Sequence, residues 1–129
     1  MPSAAVFKEL NPVIPVRDMT AALAFYVNQL GFKKTFDDAS EPGGEINYAG
    51  VCRGGLTLHL QTMTPNERPT MPLIRIRVEH IEPLFEEYDA KKLSGPSGRL
   101  EAKPCGTKDF GVYDLNGAAL VFYEDLPGD

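Results

Sequence analysis

Residues 11–26 read NPVIPVRDMTAALAFY and residues 73–88 read LIRIRVEHIEPLFEEY. Laid over each other at an offset of 62, the two runs bring Val16 onto Val78, Met19 onto Ile81, Ala22 onto Leu84, Leu23 onto Phe85 and Tyr26 onto Tyr88. In both, near-alternate apolar residues give way to an apolar stripe at i, i+3, i+4 and i+7, the change of period from a strand to a helix. The same offset then carries Tyr48 onto Phe110, Gly55 onto Gly117, Leu58 onto Leu120 and Leu60 onto Phe122. A period sustained through strand, helix and turn indicates two copies of one supersecondary unit.

Working outward, the first copy opens with a strand over residues 7–16, which Pro12 and Pro15 push toward an edge or a bulge. Asp18 is placed to cap a helix that carries Met19, Ala22, Leu23, Tyr26 and Leu30 and ends at Gly31. Three short strands follow, near 32–38, 45–52 and 56–62, with Arg53-Gly54-Gly55 turning the last two. A proline-rich loop over 63–72 leads to the second copy: a strand over 73–78, a helix with Ile81, Leu84, Phe85 and Tyr88 on one stripe, and strands near 99–103, 109–114 and 118–124. His80 falls where Asp18 does, at the helix start, and Ser94-Gly95-Pro96-Ser97-Gly98 reads as a turn between helix and strand. Each unit is βαβββ. One unit leaves a face of its small sheet bare, so two cooperate. The expected fold is α+β, a single domain of two modules (about 7–62 and 73–124) forming a curved eight-stranded mixed sheet with helices outside and a concave inner face.

At 129 residues the chain suits one domain, and 43% hydrophobic with 24% charged residues is a globular balance. Lys+Arg 13 against Asp+Glu 18 gives a net charge of −5, which argues against nucleic acid and anionic membrane as partners and is compatible with a cationic guest. No apolar run has the roughly 18 to 20 residues of a bilayer span, and the opening residues lack the pattern of an export signal, so a cytoplasmic protein is expected. Cys52 and Cys105 fit neither a metal knuckle nor a disulfide framework, and are read as free thiols. The phosphate-loop, dinucleotide, zinc-protease and serine-hydrolase motifs are all missing, and Cys105 has no neighbouring base to activate it.

The run Asn11-Pro12-Val13-Ile14-Pro15-Val16-Arg17-Asp18 with Ala24-Phe25-Tyr26 and Leu30-Gly31-Phe32, together with the closing Cys105 to Gly117 followed by Leu120, Phe122 and Glu124, resembles the vicinal oxygen chelate superfamily. That group includes glyoxalase I, fosfomycin-resistance transferases, extradiol dioxygenases and bleomycin resistance proteins. In its metal-dependent members a divalent ion is held in the cup by the first and last strands of each module. Carried over by spacing, the corresponding positions are Asn11, His59, Leu73 and Val121. Only His59 is a good ligand, and Leu73 and Val121 carry no donor atom. The resemblance therefore implies a metal-free, cofactor-free binder of the bleomycin-resistance type, a homodimer that sequesters an amphipathic or cationic small molecule without a catalytic residue. The alternative within the superfamily is a metal-dependent lyase, isomerase or dioxygenase with a reduced site. By the same resemblance the cup residues are Asn11, Phe36, Asp38, Tyr48, His59, Leu73, Cys105, Phe110 and Val121. Where bleomycin resistance proteins often show Trp-Gly, this chain has Cys105-Gly106, and it has no tryptophan, so part of the flat wall that holds planar rings is missing. His59 is equally readable as a ligand contact or as a histidine bonded within the core, and less readily as a general base, which needs an oriented partner that the sequence does not show. For each aromatic residue the plain alternative is packing, which pleat direction decides.

Overall fold

The computed structural model describes residues 3–93 and 99–127, so the turn expected at Ser94 to Gly98 lies outside the described residues. In the first module β1 (Val13–Val16) leads to α1 (Met19–Ala24), which continues as a π-helical turn over Phe25–Gln29, and then to β2 (Lys33–Asp37), β3 (Tyr48–Arg53) and β4 (Leu56–Thr62). The second repeats the order with β5 (Leu73–Arg77), α2 (Ile81–Ala90), β6 (Glu101–Ala102), β7 (Thr107–Tyr113) and β8 (Ala119–Asp125). The eight strands form two four-stranded mixed sheets, ordered β1-β4-β3-β2 and β5-β8-β7-β6. In each, the first strand runs parallel to the last, because the helix carries the chain back before the antiparallel meander begins. Each first strand is thereby left at the edge of its sheet. Among the described residues no helix is long and apolar enough to cross a membrane.

Residues on alternate strand positions meet the helices. Ile14, Val16, Ala49, Val51, Leu58 and Leu60 of the first sheet and Ile76, Phe110, Val112, Leu120 and Phe122 of the second join Ala22, Tyr26, Ile81 and Tyr88 in one continuous core. A single core shared by both modules is what an intermittently apolar strand predicts, one face packed and the other wet.

Local signals account for most boundaries. Asp18 caps α1, its Oδ1 accepting from the Ala21 amide at 3.0 Å. Gly31 ends the helical segment at φ 78°, a conformation that favours glycine. His80 does stand at the start of α2, but it adopts φ 61° and its side chain caps nothing. The free amides of His80 and Ile81 instead donate to the carboxylate of Glu124, on β8. The helix start is thus satisfied from a strand 43 residues away.

The opening strand is shorter than its apolar pattern suggests. Pairing with β4 begins at Val13, and the stretch before it runs out as an arm with Val6, Phe7 and Leu10 exposed, Phe7 at 99%. Periodicity alone does not make a strand where no partner lies alongside.

The modules interlock. Tyr26 donates to Asp114 in the β7–β8 turn at 2.9 Å. In the opposite direction Tyr88 donates to the Leu30 carbonyl at 2.6 Å, and Arg53, ending β3, reaches the same carbonyl and the Tyr88 hydroxyl. Arg53 also makes a two-pronged pair with Glu87 at 2.8 and 2.9 Å. Lys91 donates to the carbonyls of Asn28 and Gln29, so the unsatisfied end of the first helical segment is closed by Arg53 of its own module and by Lys91 and the Tyr88 hydroxyl of the second.

Candidate functional site

The face of each sheet turned away from the helices has no element of this chain across it among the described residues. On the first sheet it carries Val13, Phe36, Tyr48, Gly50, His59 and Gln61, as the β1–β4, β2–β3 and β3–β4 registers require. Three of these form an aromatic cluster. Phe36, 42% exposed, meets the His59 ring edge-on at 5.2 Å, and Tyr48 does so at 5.3 Å. Phe36 and Tyr48 are near parallel, at 23° and 6.2 Å. The Tyr48 hydroxyl lies 2.8 Å from Nδ1 of His59 and fixes the imidazole on the sheet, so Nε2 is the ring nitrogen left for another partner. A side chain at Gly50 would collide with the Phe36 ring, so the missing Cβ is what lets that ring lie across β3. Asp38 stands beside the cluster, its Oδ1 accepting the amides of Asn47 and Tyr48.

The matching face of the second sheet is built differently. Leu73, Arg75 and Arg77 of β5 lie beside Ala119, Val121 and Tyr123 of β8, with Gly111 and Asp109 of β7 beyond. Arg75 sits over the Tyr123 ring at 4.4 Å. Cys105 is a free, exposed thiol hydrogen-bonded to the Thr107 hydroxyl at 3.3 Å. That bond, with the positive charge of Arg75 as a further cause, draws the thiol below its ordinary range.

The structure therefore brings Phe36, Asp38, Tyr48 and His59 together on one open face and places Leu73 and Val121 on the other. Asn11 lies apart, at the mouth of an inter-module groove of about 640 Å³ floored by Phe32, Leu58, Ile76 and Phe122, where its amide donates to the Thr57 carbonyl at 3.3 Å. Phe110 does not belong with them. It is 2% exposed, on the helix side, stacked on Phe122 at 5.3 Å. The reason is a turn length. Cys52 pairs with Thr57 around four residues, whereas its counterpart Tyr113 pairs with Ala119 around five, Asp114 to Ala118, whose amides at 116 and 118 are held by the Asp114 carboxylate. The offset of 62 that relates β4 to β8 therefore becomes 61 between β3 and β7, and a one-residue slip reverses every side chain. Gly50 corresponds to Gly111, and Tyr48 to Asp109.

Two contributors were missing from the sequence reading. Arg75 alternates with apolar neighbours and reads as the wet face of a strand, and Gly50 carries no motif. Their roles follow from which face is bare and from where the Phe36 ring lies.

The donor set does not suit a catalytic metal. Of the four positions that carry ligands in metal-dependent relatives, Leu73 and Val121 offer no donor atom and Asn11 is turned to the Thr57 carbonyl, which leaves His59. Among the described residues no group of three His, Cys, Asp or Glu converges.

A family model described as glyoxalase superfamily protein matches residues 3–129. The chain belongs to the glyoxalase superfamily. Among solved structures, the bleomycin-binding protein from bleomycin-producing Streptomyces verticillus, complexed with copper(II)-bleomycin, is 27% identical with TM-score 0.65, over 96% of this chain and 100% of that one. TioX from Micromonospora sp. ML1 is 21% identical with TM-score 0.73, covering 92% and 100%. A glyoxalase-related enzyme from Clostridium phytofermentans is 17% identical with TM-score 0.77, covering 97% and 100%. The last two show a shared fold. No curated protein matches the chain by sequence. One fold is thus shared by a bleomycin-binding protein and a glyoxalase-related enzyme.

Proposed function

We propose that the chain is a metal-free small-molecule binding protein of the bleomycin-resistance type, acting as a cytoplasmic homodimer that holds an amphipathic ligand in a cup between two copies. The observation that carries this reading is the aromatic cluster of Phe36, Tyr48 and His59 on a sheet face that this chain leaves bare. Singly exposed rings are ordinary, but rings clustered side by side on an open face mark a place where a ligand or partner binds.

The second copy follows from the edges. Strands β1 and β5 each have one unpaired side, and the faces beside them expose Val13 and Leu73, the latter at 63%. Setting β1 of one copy beside β5 of the other makes one curved eight-stranded sheet and removes both edges. It places His59 and Phe36 across the seam from Leu73, Arg75 and Val121. Two-fold symmetry gives two such cups per dimer. The exposed arm with Val6, Phe7 and Leu10 supplies further apolar surface for the same contact.

Sedimentation of the wild type and of Leu73→Asp, each followed by a thermal-shift screen of amphipathic ligands, tests the reading. The expected result is a dimer with ligand-dependent stabilisation, and for the variant a folded monomer that has lost it. A wild-type monomer that binds its ligands as well as the variant does would contradict it.

A further inference from the structure

The two halves of the proposed cup differ in charge, and the difference identifies a ligand class. The open face of the second sheet carries several ionised side chains, nearly all mutually compensated: Arg77 pairs with Asp125 at 3.5 Å, and Lys103 lies between Glu101 at 3.1 Å and Asp109 at 3.9 Å. Arg75 is the exception. Among the described residues no carboxylate lies within ion-pair distance of it, and its guanidinium carbon instead lies over the Tyr123 ring, 4.4 Å from the centroid. Among the described residues its N–H donors make no hydrogen bond and no ion pair, which leaves them to a ligand while the ring contact holds the cation in place.

Position makes the exception matter. Arg75 pairs in register with Val121, as Val13 does with His59, so the strands that meet at the dimer seam bring Arg75 and Val13 to the middle of the floor. Closing a second copy over the site draws the guanidinium away from water, which is costly for an unpaired charge and favourable when an anion meets it. The carboxylates described at the aromatic half are already engaged. Asp38 is tied to two backbone amides, and Asp37 is paired with Lys34 at 2.6 Å.

We propose that the cup selects a planar aromatic acid, its ring lying on Phe36 and Tyr48 and its carboxylate or equivalent oxyanion held by Arg75. This rests on the two-copy cup proposed above. It assigns the ligand a charge opposite to the one that the net charge of −5 favours at long range, because the floor is governed by the group that touches the ligand. A guanidinium fork matches a carboxylate in two parallel hydrogen bonds, and this geometry distinguishes an acid from its amide.

Three probes with a common naphthalene ring separate the possibilities: 2-naphthoate, its near-isosteric 2-naphthamide, and 2-naphthylmethylammonium, titrated calorimetrically into the wild type, Arg75→Gln and Phe36→Ala. For the wild type the naphthoate binds at least about tenfold tighter than the amide, with the ammonium weakest, as expected of a charge-assisted pair. In Arg75→Gln that preference disappears while the amide keeps its affinity, which also reports that the variant is folded. Phe36→Ala weakens all three. Equal binding of acid and amide, or tighter binding of the ammonium, with Phe36→Ala still weakening each, would overturn the acid preference and leave the cup standing. Failure of every probe to bind the wild type at millimolar concentration would overturn the cup itself.

Discussion

The hydroxyl of Tyr26 donates to Oδ2 of Asp114 at 2.9 Å, joining the helix of the first module to the β7–β8 turn of the second. The other oxygen of Asp114 accepts the amides of Asn116 and Ala118, so one buried carboxylate both shapes a five-residue turn and latches the modules. Tyr26→Phe removes the latch and leaves a buried oxygen without its donor. The expected cost is about 1–3 kcal/mol, read as a lower midpoint in urea with an unchanged slope. A midpoint equal to wild type would show that the latch does not hold the modules together.

Alkaline stability follows from the same hydroxyl. Burial, with the Asp114 carboxylate adding to it, holds the Tyr26 phenol well above its ordinary range, and burial pushes Tyr88 up to about 12. In the unfolded chain both titrate near 10, so from about that pH upward the unfolded state binds fewer protons and stability falls as pH rises through the folded values. Urea midpoints between pH 9 and 11.5 should decline in the wild type and decline less steeply in Tyr26→Phe. A flat profile would mean that these hydroxyls are not closed off from solvent.

On the acid side one contributing group is Glu87, which the hydrogen bonds from Arg53 hold below the usual carboxylate range. A lowered folded pKa gives stability that is present above the unfolded carboxylate value and is lost as pH falls through the folded one. Both side chains are about one-third exposed, so the pair is worth no more than about 1 kcal/mol. Glu87→Gln should therefore lower stability at neutral pH by up to about 1 kcal/mol and soften the further loss between about pH 5 and 2. An acid limb identical to wild type would assign that loss to other carboxylates.

Gly50→Ala addresses the aromatic bed without touching the core. The added methyl displaces the Phe36 ring from β3, and with it the edge contact to His59. Global stability should drop by about 1–3 kcal/mol for the overpacked site, while any ligand held by the cluster is weakened at least about tenfold. Unchanged ligand affinity would remove Phe36 from the binding surface.

Much of this architecture is legible in the chain because its signals are local and repeated. The strand-to-helix change of period occurs at Val16–Met19 and again at Val78–Ile81, and the helices and meanders follow in order. What escapes sequence depends on partners distant in the chain. Glu124 rather than His80 caps α2, and β1 stops at Val13 because pairing with β4 goes no further. The π-helical turn after Ala24 widens a helix whose apolar spacing reads as α throughout. Phe110 shows how a single inserted turn residue defeats a repeat: polarity matches Tyr48 perfectly well, and pleat parity puts the ring in the core. His59, Phe36 and Tyr48 stand in the sequence as cup candidates by resemblance, with packing as the open alternative, whereas Arg75 becomes meaningful when its neighbours among the described residues are seen to be paired and it is not.

The central claim is that this member of the superfamily uses its open sheet face as an aromatic binding surface without a catalytic ion. Metal analysis of the purified protein, followed by calorimetric titration with Fe²⁺, Mn²⁺, Ni²⁺ and Zn²⁺ before and after His59→Ala, tests it most directly. The account predicts no stoichiometric metal, and weak binding that the substitution leaves unchanged. One tightly bound ion per cup, lost in His59→Ala, would contradict it and make the chain an enzyme of the metal-dependent kind.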